Sequence, residues 1–284
     1  MRIRCFAVLV ALVAAGCLDQ DQRLSIERMN EGVDMFTGGQ QSVAARALED
    51  ATSLDPTNHK AWFVLGQVYA AQGEWEQAAD AYADAVKYMD EDAMYHYRLG
   101  EALVESGQLD LAETHLERAV ELNDRLFRAW HYLGTVYNET DRPHEAAEAW
   151  TRSAETNPLF GLPFVDLGRL YIRWDMHDEA IRVLEQGAQH VRRDSELTDI
   201  YYFLGLAHHK NRNSAAASEA FTQALEVRST NLEAMLQRGF VHAEDGDTEA
   251  AMSDLREFVE RGGGGNAFNI QAANDRLMRL RSSD

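Results

Sequence analysis

Histidines and carboxylates are the residues of this sequence with the clearest capacity for acid–base or metal chemistry. The chain has 47 acidic residues, so close carboxylate pairs arise by chance and do not by themselves indicate catalysis. His208 and His209 are adjacent, so they would point to different faces of a helix. His144-Glu145 lacks the second histidine, four residues after the first, of a zinc-protease helix. We therefore predict no catalytic residue, no metal and no cofactor, and we expect the protein not to be an enzyme.

Cys17 follows an apolar segment close to the start of the chain. Arg2 and Arg4 precede the apolar residues 6–15, a run too short to span a membrane as a mature helix. The run ends in the letters AAGC, and small residues before a cysteine resemble a bacterial lipobox, although Leu is more usual three residues before the cysteine. The resemblance implies removal of a signal peptide, residues 1–16, and attachment of lipid to Cys17. An ordinary secretory signal with an incidental cysteine is the alternative.

Loss of the signal peptide would remove Cys5 and leave one thiol, at the new N-terminus. A cysteine placed there serves attachment and not a disulfide. In many Gram-negative bacteria an Asp directly after the lipidated cysteine retains a lipoprotein at the inner membrane, but here Leu18 follows and Asp19 comes one residue later. Residues 17–24 form a short tether that reaches at most ~25 Å. We expect a lipid anchor in the bacterial envelope, at the outer membrane facing the periplasm.

Seven glycines recur along the chain at spacings of 34, 34, 34, 34, 37 and 34 residues, and seven alanines keep the same step twelve residues later. A fixed period of this length marks a stacked repeat architecture. Such an array presents an extended surface, so its default role is to hold a partner. The glycines are Gly32, Gly66, Gly100, Gly134, Gly168, Gly205 and Gly239; the alanines are Ala44, Ala78, Ala112, Ala146, Ala180, Ala217 and Ala251.

Each repeat carries two apolar faces when its recurrent glycine is numbered position 8. Positions 4, 7, 8 and 11 are spaced as one face of a helix, and positions 20, 24 and 27 form a second face on a second helix. Neither helix buries its face alone, so neighbouring repeats must stack. In repeat two these positions hold Trp62, Leu65, Gly66 and Tyr69, then Ala78, Tyr82 and Ala85.

These residues resemble the tetratricopeptide repeat family. The resemblance implies an all-α fold, a right-handed superhelix (an α-solenoid) of seven helix-turn-helix repeats. Residues 266–284 are predicted as a capping helix and tail, with apolar positions Phe268, Ile270, Ala273, Leu277 and Leu280. The predicted repeats, which together span 25–265, are 25–58, 59–92, 93–126, 127–160, 161–194, 198–231 and 232–265.

Three departures from the family pattern stand out. Repeat one puts Arg28 and Glu31 where an aromatic residue and Leu are usual, and repeat seven has Arg238 at position 7. Terminal repeats are expected to be atypical because one of their faces meets solvent or a cap. The insertion 195–197, between repeats five and six, breaks the even step.

The family resemblance also implies where a partner would bind. In this family the first helix of each repeat lines the concave surface, mainly through positions 2, 5, 6, 9, 12 and 13. Arginine forks suit carboxylates and aromatic faces suit extended peptides, so we expect a groove that selects an acidic or C-terminal peptide segment. Alternatively, each tyrosine packs on the next repeat and each arginine pairs with a nearby glutamate. The predicted groove residues are Tyr97, Arg98, Arg128, His131, Tyr132, Arg169, Arg173 and Tyr202.

The formal net charge is −20, from 27 basic and 47 acidic residues. Such a surface repels nucleic acid and anionic lipid, so we expect no nucleic-acid partner and membrane contact only through the N-terminal lipid. We predict an envelope-anchored scaffold or adaptor that binds protein or peptide partners, with a place in assembly of a secretion, pilus or outer-membrane machine. The alternative is a cell-wall structural component or a non-catalytic subunit of an envelope enzyme or protease.

Overall fold

The computed structural model describes residues 19–262 and 265–283, and over these residues the chain forms fifteen helices and no strand. The predicted all-α class is therefore confirmed. No helix in the described part combines the length and apolarity that crossing a membrane requires. Cys17 and the predicted signal peptide lie outside the described residues. The chain divides into two compact units, residues 1–136 and 137–284.

In the first unit, the six helices that precede residue 127 pack in chain order, each first helix against its second helix and each second helix against the next first helix. Position-4 and position-7 side chains meet the alanines of the second helices, and the apolar core of repeats one and two contains Leu48, Leu65 and Val68. The helices are α1 (Gln20–Thr37), α2 (Gln41–Leu54), α3 (His59–Gln72), α4 (Trp75–Tyr88), α5 (Ala93–Glu105), α6 (Leu109–Leu122) and α7 (Phe127–Glu139), whose last residues belong to the second unit.

The second unit continues the alternation and ends in one additional helix. Helix α11 is longer than its counterparts because the 195–197 insertion joins its first turn instead of forming a loop. The helices are α8 (Pro143–Thr156), α9 (Leu162–Arg173), α10 (His177–His190), α11 (Asp194–Lys210), α12 (Ser214–Val227), α13 (Leu232–Asp245), α14 (Thr248–Glu260) and α15 (Ala267–Ser283).

Local sequence explains where several helices begin and end. Asn58 caps α3 by accepting a hydrogen bond from the Ala61 N–H, and Asp92 caps α5 in the same manner. Gly73 ends α3 in the left-handed conformation, with φ of 79°, where a side chain would be strained. Pro143 occupies the start of α8, where its missing N–H costs little.

Each recurrent glycine that the contacts describe faces the side chain sixteen residues later, on the second helix of the same repeat. A Cβ atom at Gly66 would lie 2.6 Å from the Tyr82 ring, and one at Gly205 would lie 2.6 Å from the Phe221 ring. These distances are below van der Waals contact, so any side chain would push the two helices apart. The period in the sequence is therefore the signature of a close helix crossing within each of these repeats.

In repeats two, three and four, position 4 holds a ring that donates to the turn before its own helix. The Nε1–H groups of Trp62 and Trp130 each donate to the carbonyl oxygen six residues earlier, at 2.9 Å. Repeat three has His96 in this place, and its Nε2 lies 2.8 Å from the Asp90 carbonyl oxygen. The same side-chain-to-backbone hydrogen bond is thus kept while the residue type changes.

The unusual Arg238 of repeat seven is explained by a partner on the next helix. Its Nε and Nη2 donate to the two carboxylate oxygens of Asp254 at 2.8 and 2.7 Å, and its Nη1 donates to the Thr222 hydroxyl at 3.0 Å. The Asp254 side chain is only 8% exposed. The charge at position 7 is therefore matched by a buried acid.

The insertion supplies a second buried carboxylate. Glu196 is 5% exposed, and its Oε2 accepts a hydrogen bond from the Gly161 N–H at 2.7 Å. The Arg193 guanidinium lies 2.9 Å from the other carboxylate oxygen. Gly161 precedes α9 and has no side chain to cap that helix, so the insertion secures the entry to repeat five from 35 residues away.

Helix α15 packs on α14 through Ala273, Leu277 and Leu280, which are all buried against Leu255 and Phe258 of repeat seven or its apolar neighbours. This is the packing expected of a helix that covers the end of a stack. One predicted apolar position differs from the rest: the Phe268 side chain, in the first turn of α15, is 78% exposed.

Candidate binding surface

The first-helix surface, defined as positions 2, 5, 6, 9, 12 and 13 of the first helices, is where the predicted groove residues lie. In the first unit it brings together Tyr97 and Arg98 of α5 with Tyr132 of α7. The Tyr97 and Tyr132 rings are 6.2 Å apart at 47°, and the Arg98 guanidinium lies 5.1 Å from the Tyr97 ring. Adjacent repeats therefore place their predicted residues side by side.

Glu101, one turn after Arg98, organises this cluster. Its two carboxylate oxygens accept from Arg98 Nη1 at 2.7 Å and from the Tyr97 hydroxyl at 3.0 Å. Burial opposes the charge of Arg98, but the hydrogen bond to Glu101 keeps the pKa of the guanidinium above its ordinary value. The carboxylate next to Arg98 already neutralises it, so this arginine is a weak anchor for an acidic partner.

Tyr97 packs in the seam between repeats and does not offer its ring to a partner. Its side chain is 2% exposed, and burial, followed by the negative charge of Glu101, raises the pKa of its hydroxyl. Tyr132 is partly buried, and its pKa is raised for the same two reasons. At Tyr97 the structure thus shows the alternative anticipated from sequence, a tyrosine packed on the next repeat.

Arg128 and His131 lie on α7 beside Tyr132. The Arg128 guanidinium is 5.5 Å from the Phe127 ring, and its charge lowers the pKa of Tyr132 against the larger effect of burial. The His131 ring meets the Tyr132 ring edge-on, with centroids 5.8 Å apart. The N-terminal half of α7 therefore carries a cation, an imidazole and a phenol along one face.

In the second unit, Arg169 and Arg173 are exposed on α9. The Arg169 guanidinium lies 5.6 Å from the Phe203 ring of the next repeat and 3.8 Å from the Asp166 carboxylate. Arg173 donates from Nη2 to the Asn138 side-chain oxygen at 2.8 Å. Arg169, at position 9, thus contacts Phe203, at position 6 of the following repeat. Arg173, at position 13, contacts Asn138, at position 12 of the preceding repeat.

Tyr202 lies on α11, next to Phe203. The two rings meet edge-on with centroids 5.1 Å apart, and Tyr202 also packs on Phe221 of the second helix at 6.0 Å. Burial, followed by the charge of Glu233, raises the pKa of its hydroxyl. Tyr202 is therefore partly buried against Phe221, and the rest of its side chain lies on the first-helix surface.

One further ion pair and one histidine–carboxylate contact border this surface and were not expected from sequence. Asp199 lies 3.6 Å from Arg228, and burial raises the pKa of its carboxyl. His209 lies 3.8 Å from Glu244 of the next repeat. His209 and Glu244 occupy positions 12 and 13 of successive repeats, as Asn138 and Arg173 do, so the repeat numbering itself was the signal that pairs them.

The second-helix side of the second unit holds a cavity of about 510 Å³ between α10, α11 and α12. His208 lines it at position 11, where repeat two has Tyr69, whose hydroxyl donates to Glu49 at 2.7 Å. Burial lowers the pKa of His208, and its Nδ1 has no hydrogen-bond partner. Glu185 holds the place in repeat five that Glu49 holds in repeat one. The imidazole of His208 is shorter than a tyrosine side chain and does not bond to Glu185, so part of the cavity stays unfilled.

Comparison with known proteins connects this architecture to a family. The model described as the cytochrome c-type biogenesis protein H TPR domain matches residues 24–158, and a tetratricopeptide repeat model matches residues 202–266. Among solved structures, PilW, described as a widely conserved type IV pilus biogenesis factor, superposes with a TM-score of 0.61 at 17% identity, over 76% of this chain and 98% of its own.

Two curated relatives carry the same repeats within longer chains. Anaphase-promoting complex subunit 3 of Schizosaccharomyces pombe is 24% identical over 195 residues, 68% of this chain. Cytochrome c-type biogenesis protein CycH of Bradyrhizobium diazoefficiens is 31% identical over 106 residues, 36% of this chain. Each match spans 29% of the relative's own length. From the two matched models and the stacked helix pairs it follows that the chain is a member of the tetratricopeptide repeat family.

Proposed function

We propose that the protein is an envelope-anchored adaptor that binds protein or peptide partners through its first-helix surface. The observation that carries this proposal is the contact between groove positions of neighbouring repeats in the second unit, as between Arg169 and Phe203 or between Arg173 and Asn138. These contacts join the first helices of the second unit into one polar and aromatic surface. Repeat arrays with such surfaces hold extended partners.

The chemistry of the surface favours a partner segment that carries carboxylates. Arg169 is 62% exposed, and its nearest carboxylate, on Asp166, is 3.8 Å away, a loose pair that a better-placed acid can replace. Arg173 holds only a neutral amide oxygen. Because Arg98 is tied to Glu101, we assign the principal contacts to Arg169 and Arg173 of the second unit, with Tyr202 as an apolar flank.

Assembly of another envelope component is the process we propose. The model that matches the first unit is named for a cytochrome c-type biogenesis protein, and the relative CycH carries the same description. Both support the adaptor class and a role in biogenesis. The lipobox resemblance at Cys17 supports attachment to the envelope, and the short segment before α1 would hold repeat one near the bilayer.

The surface is tested by charge reversal. Intact envelopes are crosslinked in cells that carry the wild type, Arg169→Glu/Arg173→Glu, or the control Arg152→Glu/Arg256→Glu, which makes the same charge change on second helices α8 and α14. We expect the wild type and the control to capture the same proteins and the Arg169/Arg173 variant to lose them. Equal capture by all three folded proteins would place binding elsewhere.

The anchor is tested separately by Cys17→Ser. We expect the wild type to fractionate with membranes and into a detergent phase, and the variant to move to the soluble fraction, since the rest of the chain is acidic and would not hold to anionic lipid. A variant that stays in the membrane fraction would contradict the lipid anchor without touching the binding proposal.

A further inference from the structure

Repeat three differs from its neighbours at two positions that meet in the core. At position 4 it has His96 and at position 23 it has His115. Repeats two, four and six instead combine a large aromatic residue with alanine, so the two changes in repeat three offset each other in volume. The corresponding pairs in those repeats are Trp62 with Ala81, Trp130 with Ala149, and Tyr201 with Ala220.

The two imidazoles face each other through the same atom. The Nδ1 atoms of His96 and His115 are 3.1 Å apart, and the ring centroids are 5.3 Å apart with planes at 31°. His96 is 3% exposed, whereas His115 is partly exposed and lies on the solvent side of the pair. His96 is therefore the buried member of the pair, and His115 is the member that solvent reaches.

The environment of His96 fixes which nitrogen has a lone pair. A carbonyl oxygen only accepts hydrogen bonds, so the Nε2 of His96 carries the hydrogen toward the Asp90 carbonyl oxygen, 2.8 Å away. The Nδ1 of neutral His96 then presents its lone pair to His115. An imidazole whose other N–H donates to a backbone carbonyl is the usual arrangement of a metal-ligating histidine.

We propose that His96 and His115 form a two-histidine site for a divalent transition-metal ion of the Zn²⁺, Ni²⁺ or Cu²⁺ class. An ion about 2.0–2.1 Å from each nitrogen in tetrahedral geometry separates its ligands by about 3.3 Å, close to the observed spacing. Imidazole nitrogens favour these ions over Mg²⁺ and Ca²⁺. Two ring nitrogens are thus already within a few tenths of an ångström of the separation that one ion requires.

Binding requires one tautomeric change and no net loss of protons. Without metal, the Nδ1–H of neutral His115 donates to His96. With metal, the hydrogen of His115 moves to its Nε2, and both Nδ1 lone pairs point to the ion. Among the described residues no group of three or more His, Cys, Asp or Glu side chains could hold an ion, so the proposed site has two protein ligands.

The test uses the full chain without a histidine tag and the variant His96→Trp/His115→Ala, which restores the residues of repeats two and four. The Trp side chain keeps a donor for the Asp90 carbonyl, so the variant retains the packing and the buried hydrogen bond. Zn²⁺ is titrated by calorimetry at pH 7.5, and the imidazole nitrogens are followed by ¹⁵N NMR. Mg²⁺ serves as the control ion.

We expect the wild type to bind one more Zn²⁺ than the variant, or to bind its first Zn²⁺ at least tenfold more tightly, with the Nδ1 signals of both histidines shifted. We expect Zn²⁺ to raise the melting temperature of the wild type only. Equal Zn²⁺ uptake by the two proteins, or unmoved Nδ1 signals, would show a hydrogen-bonded pair and overturn the site. If the double variant does not fold, His115→Ala alone, which leaves His96 in place, gives the same comparison.

Discussion

The two units bury polar side chains in different forms. Among the described residues, the first unit buries the imidazole of His96, whose Nδ1 lies 3.1 Å from the Nδ1 of His115. The second unit buries two carboxylates, Glu196 and Asp254, each held by an arginine or a backbone N–H. The first unit therefore relies on a contact between two imidazoles, while the second depends on keeping the partners of its buried charges.

This difference has a physical cause in the cost of burying charge. A buried ion requires a partner in good geometry, and removal of that partner leaves the full desolvation cost. A neutral imidazole pair escapes that cost and acquires it only when protons are added. Loss of a charge partner is therefore expected to destabilise the buried carboxylates of the second unit, whereas added protons are expected to destabilise the imidazole pair of the first.

The largest effect is expected from Arg238→Leu in the second unit. The change leaves Asp254 buried without its partner, and we expect a loss of ~3–5 kcal/mol in the free energy of unfolding. The double variant Arg238→Leu/Asp254→Ala restores the residues common at these positions and should lie within about 1.5 kcal/mol of the wild type. Urea unfolding of the two variants measures both values, and equal losses would break the contrast between the units.

A smaller loss is expected from Glu196→Ala, which leaves the buried Gly161 N–H without an acceptor. The expected cost is ~1–3 kcal/mol. Glu196→Gln keeps an acceptor and should cost less. The control is Glu155→Ala, since that side chain is exposed and its pairing with Arg152 at 3.7 Å is loose. If Glu155→Ala destabilises as much as Glu196→Ala, the buried carboxylate has no special structural role.

A gain of about 1 kcal/mol is expected from His208→Tyr, because the phenol at position 11 can donate to Glu185 as Tyr69 donates to Glu49, and it fills part of the cavity. Thermal unfolding measures whether the melting temperature of His208→Tyr rises above that of the wild type, as we expect. His209→Tyr, on the first-helix surface, is the matched control and should give no gain. A destabilised His208→Tyr protein would mean that the repeats do not share this slot.

The smallest effect is expected from acid. Burial lowers the pKa of His115 and of His208 from 6.5, so the unfolded chain binds protons more tightly than the folded chain. Stability is therefore complete above pH ~6.5 and falls as the pH drops below that value. Denaturant midpoints from pH 7.5 to 5.5 measure the slope.

Replacement of the titrating groups sharpens this comparison. The variant His96→Trp/His115→Ala should flatten the pH dependence of the first unit, and His208→Tyr that of the second. Arg238→Leu/Asp254→Ala should leave the change between pH 7.5 and 5.5 as it is in the wild type, since it removes no histidine. A steeper decline after the histidines are removed would mean that other groups set the acid response.

Helix pairs and their faces could be predicted from sequence because the period repeats each local signal seven times. The contacts that distinguish one repeat from another could not. His96 and His115 are 19 residues apart and carry no motif, and only superposition of the repeats shows that positions 4 and 23 meet. Glu196 was visible as an insertion, but its hydrogen bond to Gly161 joins segments that are remote in sequence. Burial of Tyr97 depended on the packing of the following repeat.

The pairing of each recurrent glycine with the side chain sixteen residues later bears on how such a chain evolves. Both members of the contact lie within one repeat, as Gly168 and Leu184 do. Within the evenly spaced repeats, deletion or duplication of 34 residues therefore removes or adds a complete contact, and the remaining glycines keep their spacing to a partner. Lineages can thus lengthen or shorten the array by unequal recombination without first repairing a core.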